Sequence, residues 1–197
     1  MKPLLLACTL AVAFSAIAAD KPNSTKVTGT VITPTNARGT SLLVADQGRK
    51  SQATRVKALL ETGQRVVAID PFIFGESKIK RRDFLHVLLV HAVGERALGI
   101  QSSQIAAIAN WAKKEFGEPV QLTSVGARLS VAARIATVQT EAIKSVELHE
   151  SMVSLKSVIK ENKGANHLPE MMCFGLLEHF DLPQIEALIA PRKVIRK

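Results

Sequence analysis

Along this chain the spacing of apolar residues switches repeatedly between a period of two and a period near 3.6. The stretch 26–33 is β-branched and partly alternating, and 41–45 is a short apolar run; Pro34, Gly39 and Gly48 bound the two as strand ends do. Residues 51–62 then place Ala53, Val56, Leu59 and Leu60 on one helical face, with Gly63 where a C-cap belongs. The run 66–69 predicts a buried strand. A helix is predicted over 100–116, where Ile105, Ile108, Ala109, Ala112 and Phe116 recur at helical spacing and Gly117-Glu118-Pro119 ends it. A strand at 120–123 follows, and 127–138 is apolar almost all round, as in a helix laid centrally on a sheet. Later signals predict a strand at 143–148, helical segments at 154–161, 170–180 and 182–189, and a short final run at 193–195. Strands alternating with helices predict an α/β fold, with a mostly parallel sheet and helices on both faces.

The first nineteen residues follow a different pattern. One cation, Lys2, precedes an apolar run through Leu4, Leu5, Leu6, Leu10, Val12 and Phe14, which ends in Ala16-Ile17-Ala18 before Ala19-Asp20. This is the form of a secretory signal peptide cleaved after Ala18 or Ala19, so residues 1–19 are expected to be a leader and 20–197 one exported domain, secreted or periplasmic. No later stretch predicts a membrane helix, and no stable membrane insertion is expected. Cys8 falls in the leader, which leaves Cys173 unpaired among Met171, Met172 and Phe174, where it reads as a buried small hydrophobe.

The formal net charge is +9, and Lys78, Lys80, Arg81 and Arg82 form a basic knot. With no tyrosine, one tryptophan and no aromatic residues among the cations, a stacking platform for nucleic acid is absent, and solvated surface charge is the expectation. His86 and His91 lie about 140° apart around a helix at roughly 100° per residue, so they do not share a zinc-binding face. Gly94 to Gly99 has phosphate-loop glycine spacing, but Ile100-Gln101 replaces the lysine and hydroxyl residue, so it reads as a helix-entry turn. No metal or cofactor is expected.

Gln121-Leu122-Thr123-Ser124-Val125-Gly126-Ala127-Arg128-Leu129-Ser130 has the strand-then-helix frame of a nucleophile elbow, with Gly126 at the position of the nucleophile and Ser124 and Arg128 at the flanking glycine positions. Val66-Val67-Ala68-Ile69-Asp70-Pro71-Phe72-Ile73-Phe74-Gly75-Glu76-Ser77 and Asp181-Leu182-Pro183-Gln184-Ile185-Glu186-Ala187-Leu188-Ile189-Ala190-Pro191-Arg192 complete a set of motifs along the chain. Together these resemble the α/β-hydrolase superfamily, in its acetyl-xylan-esterase-like and dienelactone-hydrolase-like branch. The resemblance implies a sheet incomplete at its C-terminal end, an oxyanion loop at Gln47 and Gly48, and an ester or acetylated carbohydrate as substrate.

It also implies a nucleophile, acid and base in chain order, the last two after strands expected beyond Lys197. Within the chain, Ser124 is the displaced candidate nucleophile, Glu150 the candidate acid and His179 the candidate base; Glu147, His149 and His167 are other titratable groups in the same half. Three readings stay open: a hydrolase-like domain without catalysis, an active serine esterase using Ser124, or the N-terminal part of a longer hydrolase. A sheet ending near Ile195 leaves an edge through which a homodimer is expected, with Lys193, Arg196 and Lys197 along it.

Overall fold

The computed structural model describes residues 8–17 and 26–197. Seven strands, β1 (Cys8–Ile17), β2 (Lys26–Pro34), β3 (Gly39–Ala45), β4 (Gln64–Asp70), β5 (Val120–Val125), β6 (Ile143–His149) and β7 (Lys193–Arg196), form one sheet in the order β1-β2-β4-β3-β5-β6-β7. From β4 to β7 all neighbours run parallel; β2 is antiparallel to β4, and β1 to β2. Part of the expected leader is thus the strand β1, whereas the expected cleavage site lies outside the described residues.

The helices are α1 (Ala53–Glu61), α2 (Asp83–Ala92), α3 (Ala97–Phe116), α4 (Ala127–Gln139), α5 (Lys156–Lys160), α6 (Leu176–His179) and α7 (Leu182–Ile189). α1 covers one face, with Val56, Leu59 and Leu60 against Leu43, Val66 and Ala68. α3, α4 and α7 cover the other, over Leu42, Val44, Leu122, Val146 and Leu148. Every residue of β3 is buried, which explains its unbroken apolar run: a central parallel strand has no solvent face.

One expectation needs correction, and one helix had no expected counterpart. The helix expected over 170–180 is a short turn at Pro169–Met171 and the separate α6, because Pro169 starts the turn and Gly175, at φ 83°, breaks the chain between them. α2 is the unexpected one: apart from His86 the run Phe84 to Val90 is apolar and marks no single buried face.

Asp181 caps α7. Its carboxylate accepts the Leu182 amide at 2.8 Å and the Leu155 amide at 2.7 Å, and Gln184 accepts the Asp181 amide in return at 3.1 Å. α7 packs on α4, and between them lies Arg134, fully buried. Its guanidinium donates to Glu186 Oε1 at 2.6 Å and to the carbonyls of Ser130 and Met152, both at 3.0 Å. Removing its counter-ion leaves a buried cation unpaired. Glu186→Ala is expected to lower the unfolding free energy by about 3 kcal/mol in urea titration; a loss below about 1 kcal/mol contradicts this account.

Candidate active site

β3, β4, β5 and β6 all deliver their C-terminal ends to one rim of the sheet, where the chain leaves each strand. At the end of β5, Gly126 takes φ +106° and ψ 157° and opens α4, its amide donating to the His149 carbonyl at 2.9 Å. It therefore stands at the strand-to-helix turn where the sequence places the elbow, in a conformation that side chains rarely adopt.

Asp46 follows the adjacent strand β3 directly. Its amide donates to the Val125 carbonyl at 2.9 Å, and its carboxylate accepts the amides of Arg128 at 2.9 Å and Leu129 at 2.8 Å. Asp46 thus caps α4 from a neighbouring loop. A Cβ built on Gly126 would lie 2.3 Å from Asp46 Cγ and 2.4 Å from Oδ2. Asp46 fills the space that an elbow side chain needs, and only glycine fits beside it. Burial pushes its carboxyl above the ordinary value, against the opposing pull of the two amides and Arg128.

The loop expected to supply oxyanion amides turns back on its own strand. Gln47 is exposed, and the Gly48 amide is spent on the Ala45 carbonyl at 2.8 Å. Gly48 itself has φ +79°, and a Cβ there would lie 2.5 Å from the Cα of Gly75. Beneath both loops Asp70, 1% exposed, accepts the Arg49 amide at 2.8 Å, the Glu76 amide at 3.1 Å and the Arg49 guanidinium. Arg128 reaches the fully buried Glu170 through two bonds of 2.5 and 2.6 Å, and its guanidinium lies 4.6 Å from the centroid of the Phe74 ring.

Among the described residues, no hydrogen bond joins Ser124, Glu150 or His179 to one another. Ser124 pairs in register with Val44 and Leu148, so its side chain enters the core under α3 and α4, fully buried, and its hydroxyl has no partner. Glu150 is exposed just after β6, and His179 is exposed at the end of α6. A histidine and a carboxylate do meet elsewhere. On the α1 face, His149 Nε2 lies 2.6 Å from Glu147 Oε1, with Lys197 Nζ 2.9 Å from the same oxygen and Arg55 Nη1 3.0 Å from the ring nitrogen. Burial pushes Glu147 up, but Lys197 and His149 outweigh it and hold the carboxyl below the usual range. Among the described residues, no hydroxyl is hydrogen-bonded to the pair.

Away from the rim, a cavity of about 400 Å³ lies between α5 and residues 171–178, lined by Leu155, Val158, Met171, Cys173 and Leu177. Burial pushes the Cys173 thiol up, with Arg96 opposing, which keeps it protonated as its apolar setting predicts.

No protein-family model matches the sequence, and no curated protein is similar to it at a significant level. Solved structures are similar in fold. A putative acetyl xylan esterase from Bacteroides fragilis superposes with TM-score 0.73 at 16% identity, over 96% of this chain and 61% of its own. A glucuronoyl esterase from Solibacter usitatus gives 0.63 at 13%, over 96% and 66%, and a carboxyl esterase from Bacillus coagulans 0.53 at 15%, over 83% and 55%. The chain has the α/β-hydrolase fold. It spans less than two thirds of the length of these α/β-hydrolase structures.

Within that fold the sequence marked Gly126 and Gly48 correctly as turn positions. It gave no sign that Asp46 caps α4, because the two are joined across neighbouring strands, nor that Glu170 pairs with Arg128 42 residues earlier.

A Gly126→Ala change is expected to cost about 3 kcal/mol or more, from the Cβ contact and the positive φ together. In an Asp46→Gly background the same change should cost at least about 1 kcal/mol less. Strictly additive losses in denaturant titration would mean that Asp46 and the residue 126 side-chain position do not meet.

The Asp46 carboxyl also sets a pH dependence. Its folded value lies above the ordinary 3.8, so the folded state binds this proton more tightly than the unfolded state does. The resulting stabilisation is complete below about 3.8 and lost as pH rises through the folded value. Relative to Asp46→Asn, the wild type should lose stability as pH climbs from acid toward neutrality; a difference that does not change with pH contradicts this.

Proposed function

We propose that this is an exported, esterase-related α/β-hydrolase domain that binds without hydrolysing, its elbow position having been taken over by Asp46. One observation carries the reading. The carboxylate of Asp46 holds the amides that open α4 and occupies the space beside Gly126 where a nucleophile would stand. An esterase needs vacant donors at that place to receive the developing oxyanion, and an anion already seated there repels a second. Ser124 adds no alternative chemistry, since its buried hydroxyl has no base hydrogen-bonded to it.

The esterase neighbours point to an acetylated or glucuronoyl-bearing carbohydrate as the class of ligand to try, as something bound and left intact. The leader motif at residues 1–19 supports export.

Both parts are read in one experiment. Protein recovered from outside the cytoplasm is treated with a fluorophosphonate and its intact mass measured. The expected spectrum is a single unmodified species that begins at Ala19 or Asp20. A phosphonyl adduct that disappears in Ser124→Ala would establish a working displaced serine and overturn the non-catalytic reading; a retained Met1 would overturn cleavage of the leader, and recovery of the protein from the cytoplasm alone would overturn export.

A further inference from the structure

α2 is an unusual helix for a folded domain. Of its ten residues only Val87 is fully buried, with Phe84, Val90 and His91 partly covered beside it. At roughly 100° per residue, Leu85, Leu88, Leu89 and Ala92 fall on the side opposite Val87, and all four are exposed. Leu88 is 47% and Leu89 66% exposed, and Val93 continues the stripe at 77%. An aliphatic ridge therefore stands in solvent where polar residues ordinarily belong.

The basic knot lies at the head of this ridge. Lys78, Lys80, Arg81 and Arg82 lead directly into α2, all exposed, and their side chains engage no carboxylate among the described residues. The nearby acids are otherwise occupied or few. Glu76 is held by Arg49 and Lys50, Asp83 accepts the Phe84 amide at 2.9 Å, and Glu95 follows the ridge beside Arg96.

We infer that α2 and the preceding 78–82 segment form a docking surface for the face of an anionic lipid bilayer. Leucines opposite the buried face of a helix, with lysines and arginines at its end, meet the two layers of such a surface: acyl chains under the ridge and anionic headgroups against the cations. A protein partner is less well matched. Its interface favours aromatic anchors in pockets, whereas the ridge is convex and aliphatic. The contact is peripheral, since no helix among the described residues is long and apolar enough to cross a membrane. The inference does not depend on whether the rim is catalytic.

The test is flotation of the full chain with vesicles of phosphatidylcholine mixed with phosphatidylglycerol, against phosphatidylcholine alone. Binding to the mixed vesicles is expected to fall at least about tenfold in Leu88→Glu/Leu89→Glu and in Lys80→Glu/Arg81→Glu, at about fivefold per cation. The same charge reversal at the exposed pair Lys113→Glu/Lys114→Glu should change it by less than about twofold. Circular dichroism checks that each variant is folded. Absence of binding to the mixed vesicles, or equal losses from both pairs of charge reversals, overturns the inference. So does a dimer in light scattering that only Leu88→Glu/Leu89→Glu dissolves, which would assign the ridge to a second copy.

Discussion

The contact between the Asp46 carboxylate and the first amides of α4 organises the rim of this sheet. β3 and β5 are neighbours, with Ala45 beside Val125, so the residues that follow them necessarily meet. The amide of Asp46 extends the pairing by one residue, and its side chain then turns over the head of the helix. A cap of this kind contributes about 1 kcal/mol. Charge is not what fixes it there, since burial disfavours the ionised form; the position of two acceptor atoms opposite two donors does. Gly126 follows as a requirement, because any side chain there would run into the carboxylate.

The same economy holds along the rest of the rim. Asp70 gathers the amides of Arg49 and Glu76, and Glu170 engages both arms of Arg128. A buried carboxylate is tolerated only when donors surround it, and each of these is surrounded by donors that cross between loops. The loops and the head of α4 are therefore tied to one another through acids. The Glu147–His149 pair fits the pattern: it sits on the α1 face between Arg55 and Lys197, and its contacts are those of an ion cluster.

How much of this was legible depends on the range of the interaction. The order of strands and helices follows from period, and the turns at Gly48, Gly63 and Gly126 from glycine, since each takes a positive φ. Which face a strand residue occupies turns on register. Ser124 reads equally well as a rim or a core residue until its pairing with Val44 and Leu148 sends it inward. Pairs such as Arg128 with Glu170 leave no trace in spacing, because the two elements are brought together only by the packing of the whole domain. α2 is a different case: its apolar run shows no single face in the sequence, and in the structure half of it is in water.

Charge sorts in the same manner once the fold is known. The sequence shows a basic knot at 78–82 within a scattered excess, and the structure divides the cations by partner. Arg49, Arg128, Arg134 and Arg196 all engage acids, three of them where the planar guanidinium bridges two elements in a confined space. With these arginines paired within the domain, the cations of 78–82 stand close together and, among the described residues, without carboxylate partners, at the N-terminal end of a helix that turns leucines outward. Random solvation would scatter exposed charge and exposed apolar surface independently. Their coincidence on one short segment gives part of the net charge of +9 a direction.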